Sequence, residues 1–193
     1  MNGRELFKKY SNLIDLLSKW TAKLPKRYRS HRLDTLRNKL GSFAMLKRYL
    51  LVRSLAKKCG NNVAIFPGVY FENIDKLEIG DNVSIHQMCY IDAEGGISIG
   101  NDVSMAHRCS VLSSNHSFDA GDIPIKYQEM SLEETTIHEN VWIGCGSVLL
   151  AGVCIGNGVV IGANSTVTKS IPSNSVAFGT PCRVYKKRVE DLL

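Results

Sequence analysis

The stretch "SSNHSFD", residues 113–119, places His116 where a regular six-residue rhythm in the chain stops. Imidazole ordinarily titrates close to neutrality, so a histidine held in a fixed position can take a proton from a reacting group and return it. His116 stands at the root of a polar excursion, "SSNHSFDAGDIPIKYQEMSLEET", which contains Gly121 and Pro124 and cannot continue the rhythm. Loops that leave a rigid scaffold commonly carry function, and at its root the scaffold still fixes the side chain. The remaining histidines are weaker candidates. His31 lies in a basic linker and His138 replaces a corner glycine, so both read as structural or solvated, and His86 and His107 occupy non-equivalent places in the repeat. The six cysteines (59, 89, 109, 145, 154 and 182) include no C-x-x-C pair, which favours free, buried thiols in a reducing compartment.

The element that must position His116 is a repeat. Six strings share one motif: "GNNVAI", "GDNVSI", "GNDVSM", "HENVWI", "GNGVVI" and "SNSVAF", with valines at 63, 83, 103, 141, 159 and 176. A second beat of six runs through Ile137, Ile143, Leu149, Ile155, Ile161 and Val167. In V-x-I the two apolar residues point to one side of an extended backbone and the middle residue to the other. The Gly, Asn and Asp residues ahead of each motif tolerate the tight backbone of a corner. Three such strands close a triangular coil, and coils stacked at about 4.8 Å bury a continuous aliphatic column, giving a prism on the order of 25–30 Å long. A helix is excluded, since a beat of six does not stay on one face at 3.6 residues per turn. Residues 140–168 carry no charge, yet their regular Gly and Asn argue against a membrane span.

Charge divides the molecule. Residues 1–60 carry 16 Lys/Arg against 3 Asp/Glu, whereas residues 61–193 carry 8 against 15. In the basic part, Leu13, Leu16, Leu17, Trp20 and Leu24 form a helical stripe ended by Pro25; Leu33, Leu36, Leu40, Phe43, Leu46 and Leu50 form a second after the linker "KRYRSHR". Two amphipathic helices are therefore expected. They either pack on the prism or a neighbouring subunit, or dock residues 1–57 on the anionic inner membrane face; no nucleic-acid-binding module is recognisable. The N-terminus lacks an uninterrupted apolar run, so a cytoplasmic protein is expected.

Residues from about 60 to 185 resemble the hexapeptide-repeat acyltransferases, whose fold is a left-handed parallel β-helix. The segment "HENVWIGCGSVLLAGVCIGNGVVIGANSTVTKSIPSNSVAFGTPCRVYKKR" is similar to the C-terminal half of the maltose, galactoside and capsular-polysaccharide O-acetyltransferases, and its "VWIG…IGANSTVTK…GTPCRV" series carries the resemblance. The resemblance implies an all-β solenoid, with a helical segment at 1–58, the β-helix at 59–178 with an extruded loop at 117–136, and a C-terminal cap and tail at 179–193.

It further implies transfer of an acetyl group from acetyl-CoA to a sugar hydroxyl in surface-polysaccharide biosynthesis, with His116 as general base in a direct ternary complex and no metal. Asp92 in "CYIDAEGGISIG" and Met130 would approach the acceptor, while Trp142 would line the pocket or pack against a neighbouring subunit. Gly144, Cys145, Ala163, Thr168 and Lys169 would line the pantetheine arm, and Arg183 and Lys186 would meet the phosphates, unless residues 183–188 are a solvated basic tail. The family groove lies between subunits, which implies a homotrimer. The serine acetyltransferases are disfavoured because their Asp-His pair is Asp92-Ala93 here. Two other classes stay open: a non-catalytic β-helix scaffold, and a zinc hydratase like the γ-class carbonic anhydrases, whose close H-x-x-x-x-H pair the chain lacks.

Overall fold

The computed structural model describes residues 3–188; residues 1–2 and 189–193, the far end of the expected tail, lie outside the described residues. From residue 58 the chain winds as a parallel β-solenoid with three faces. The first face stacks Lys58–Cys59, Leu77–Ile79, Ile97–Ile99, Thr135–Ile137 and Cys154–Ile155, and a bridge to Ile171 extends it. The second stacks Ala64–Ile65, Ser84–Ile85, Ser104–Met105, Trp142–Ile143, Val160–Ile161 and Ser175–Gly179, and the third runs from Tyr70–Glu72 to Thr166–Val167. The six-residue beat is the core: Ile137, Ile143, Leu149, Ile155, Ile161 and Val167 are all buried. The corner between the first and second faces needs a left-handed residue. Asn62, Asn82, Asp102, Asn140 and Asn174 supply it with φ between 54° and 59°.

The last repeat is offset by one residue from its expected alignment. Val176 pairs with Val160 and Ala177 with Ile161, so the buried Ser175, not Val176, takes the place of Val159. The preceding corner is shorter: Ile171 follows Ile155, its partner on the same face, after only 16 positions. An offset of one residue exchanges the two sides of a strand. Strand Ser175–Gly179 then turns back through Cys182–Lys187 in an antiparallel hairpin that ends the solenoid.

At the other end, four helices replace the two expected: α1 (Gly3–Lys9), α2 (Ser11–Ala22), α3 (Lys26–Leu36) and α4 (Ser42–Leu55). The linker "KRYRSHR" is itself helical, because Pro25 ends α2 and presets the start of α3. Gly41, at φ 96°, separates α3 from α4 and interrupts the second stripe. Helix α4 caps the prism with Tyr49, Leu50, Leu51, Val52 and Leu55 buried. Helix α2 packs on α4: Ile14 is buried, and Asp15 pairs with Arg53 at 3.0 Å. The stripe from Leu13 to Leu24 faces solvent.

Candidate active site

His116 ends a short strand, Ser114–His116, that leaves the third face and pairs antiparallel with Met130–Leu132, setting His116 opposite Met130. The excursion therefore has an ordered stem. Thr135 and Thr136, expected in the loop, already belong to the first face. Its neck is closed by Glu133 N–H donating to Ser113 O at 2.9 Å and by Thr135 Oγ1 donating to Leu112 O at 2.7 Å. Gly95 lies under this neck, where a Cβ would sit 2.2 Å from Ser113 O, so the crossing requires glycine. Beyond the stem, the Gln128 side-chain amide holds the loop together through Ala120 N, Ala120 O and Ile123 O.

The neck also fixes Asp92, which ends the strand Tyr90–Asp92 one layer below Ser110–Leu112. Its Oδ2 accepts from Ser114 Oγ at 2.9 Å, and its Oδ1 accepts from Glu94 N at 3.1 Å and Asn73 Nδ2 at 3.3 Å. Ser113 Oγ donates to Asp92 O at 2.8 Å. Ser114 and His116 are two apart in an extended strand and project to the same side, so the carboxylate bound to Ser114 lies on the side of the stem that carries the imidazole. Sequence reading missed Ser114. The alternation in "SNH" was the available signal, but its partner is 22 positions away.

The other candidate residues fall into three further groups. Trp142 projects outward from the second face with 51% of its surface exposed, and Gly144, Cys145 and Ala163 follow at the corner leading to the third. Thr168 and Lys169 stand at the opposite corner, on the margin that His116 leaves. They lie two strands further along the stack, on the order of 10 Å at the usual layer spacing. Arg183 and Lys186 are exposed on the terminal strand, opposite Phe178 and Val176. Within one chain, then, His116, Asp92 and Met130 gather at one margin of the third face, and Trp142, Gly144, Cys145 and Ala163 at the other.

Gly144 also has a packing reason, because a Cβ there would meet Ala163 N at 2.5 Å and Gly162 C at 2.7 Å. Gly144→Val is expected to lose about 1–3 kcal/mol by forcing those coils apart, measurable as a lower urea midpoint. On the same corner, Phe66 stacks on His86 with ring centres 4.5 Å apart, and burial holds the His86 pKa below its ordinary value. All six cysteines are free, with Cys89, Cys109 and Cys182 buried.

A parallel prism with three faces and one extruded hairpin is the architecture of the left-handed β-helix proteins. A family model described as "Bacterial transferase hexapeptide (six repeats)" matches residues 134–169. A maltose O-acetyltransferase from Clostridium difficile 630 has the same fold, with a TM-score of 0.75 and 30% identity over 86% of this chain and 87% of that one. A hexapeptide-repeat containing acetyltransferase from Vibrio cholerae, VCA0836, complexed with acetyl coenzyme A, gives a TM-score of 0.75 and 26% identity over 86% and 88% of the two chains. A galactoside O-acetyltransferase of Lactococcus lactis is 63% identical over 51 residues, 26% of this chain; the match spans a quarter (25%) of that relative's length. The chain belongs to the hexapeptide-repeat acyltransferases.

Proposed function

We propose that the protein transfers an acetyl group from acetyl-CoA to a sugar hydroxyl, with His116 as the general base. The observation that carries this reading is the hairpin stem, which pairs His116 with Met130 at one margin of the prism and is tied to the Asp92 carboxylate through Ser114. His116 takes the hydroxyl proton as the oxygen attacks the thioester carbonyl. The tetrahedral intermediate collapses by breaking the C–S bond, and the imidazolium returns the proton to the departing CoA sulfur. No covalent enzyme intermediate is required. Asp92 and Met130 would contact the acceptor, and the exposed Arg183 and Lys186 suit the coenzyme phosphates. The basic helical end suggests an acceptor among surface-polysaccharide building blocks.

The two margins of the third face complete each other best in a homotrimer, in which the hairpin of one subunit meets the Trp142 side of the next. Phe118, Ile123, Ile125 and Tyr127 are exposed along that hairpin and suit such a contact. Sedimentation should give three times 21.4 kDa, and the pair Phe118→Ser with Tyr127→Ser should shift it toward smaller species while activity falls. The activity itself is tested by free-thiol release from acetyl-CoA across a panel of acceptor sugars. Acceptor-dependent release supports the reading. Failure to bind CoA would return the chain to the class of non-catalytic scaffolds.

A further inference from the structure

We propose that the exposed face of the helical end is a docking surface for an anionic lipid bilayer. The inference is independent of the chemistry at His116. The stripe Leu13, Leu16, Leu17, Trp20 and Leu24 has the spacing of a buried helix face, yet α2 turns it to solvent, leaving Trp20 63% exposed. Across from it stand Phe43, 69% exposed at the start of α4, and Leu40, 81% exposed in the preceding turn. Between α2 and α4 lies an apolar groove of about 470 Å³, lined among others by Tyr10, Leu13, Leu17, Phe43 and Leu46. A second groove, of about 220 Å³, is lined among others by Leu24, Tyr28 and Lys47. Isolated exposed apolar residues are ordinary, but a continuous face of this kind marks a surface that meets something apolar.

Cations ring the face. Lys23 Nζ lies 5.2 Å from the Trp20 ring centre, Lys47 Nζ 4.2 Å from that of Phe43, and Lys9 Nζ 5.6 Å from that of Tyr10. Aromatic rings and aliphatic tips beside long-stemmed ammonium groups match the boundary between acyl chains and headgroups, where the rings enter and the cations remain with phosphate. The surrounding segment carries 16 basic against 3 acidic residues. That excess opposes a second copy of the same face and favours an anionic surface. Nucleic acid would satisfy the charge but leave the apolar grooves unused. Among the described residues no helix is long and apolar enough to cross a membrane, so contact would be with the bilayer surface.

The test is sedimentation of the full chain with vesicles of phosphatidylglycerol and phosphatidylcholine in equal parts, against phosphatidylcholine alone, at about 0.15 M salt. Binding to the anionic vesicles is expected to be at least about tenfold stronger. It should be lost in the pair Trp20→Ser with Phe43→Ser, and also in the triple Lys9→Glu, Lys23→Glu, Lys47→Glu, each with thermal midpoint and thiol release on a soluble sugar unchanged. Equal binding to both compositions, or binding that survives both sets of substitutions, overturns the proposal. So does concentration-dependent self-association without vesicles that Trp20→Ser with Phe43→Ser abolishes, because the face would then belong to a second copy.

Discussion

Replacing His116 with glutamine is expected to lower kcat by about 10²–10⁴-fold while CoA binds as before, the loss typical of a missing general base. Glutamine keeps roughly the length and a polar end but cannot carry the proton from hydroxyl to sulfur. Because the stem is held through Ser113, Ser114, Glu133 and Thr135, none of which uses the imidazole, the hairpin should stay folded. His116 is exposed, so no buried partner is orphaned by the change. The informative comparison is single-turnover thiol release beside calorimetric CoA binding. Turnover near the wild-type rate with intact binding would remove His116 from the chemistry and return the hairpin to a purely structural role.

The second large effect concerns stability. Arg48→Ala is expected to destabilise the protein by about 4 kcal/mol, at the upper end for a single substitution. Arg48 is almost fully buried on α4 and makes three hydrogen bonds to backbone carbonyls: Nε to Ile65 O at 2.9 Å, and Nη1 to Leu36 O at 3.0 Å and Lys39 O at 2.7 Å. Two of those oxygens lie at and just beyond the C-terminal end of α3, where carbonyls lack helical partners and the helix dipole favours a cation. The third belongs to the first coil of the second face.

One guanidinium thus joins α3, α4 and the solenoid. Burial holds its pKa below the ordinary arginine value. Alanine would leave a cavity and three acceptors without this donor, each bond to a charged group contributing about 1.5–3 kcal/mol. For a chain of this size the thermal midpoint should drop by roughly 8–16 °C. Arg48→Lys keeps the charge but not the fork, and should recover only part of the loss. A midpoint unchanged in Arg48→Ala would show that the helical end does not depend on this contact.

What the sequence by itself determined was periodic and local. The beat through Ile137, Ile143 and Leu149 shows three strands per coil without reference to any distant residue, because V-x-I alternation and left-handed Asn corners act within a few positions. The stop at His116 was legible for the same reason, as an interruption of a known period. Tertiary structure decided what depends on distant partners. Ser114 meets Asp92 only because their coils stack, and the shortened corner before Ile171 shifts the final strand by one residue.

It also decided which helix face is covered. The stripe from Leu13 to Trp20 specifies an amphipathic helix but not the direction it faces, and only the packing of Ile14 and the Asp15–Arg53 pair turn it outward. Arg48 shows the same limit. In sequence it is one of many cations in a basic segment, and its burial follows from three carbonyls brought together by the chain's return over the end of the prism.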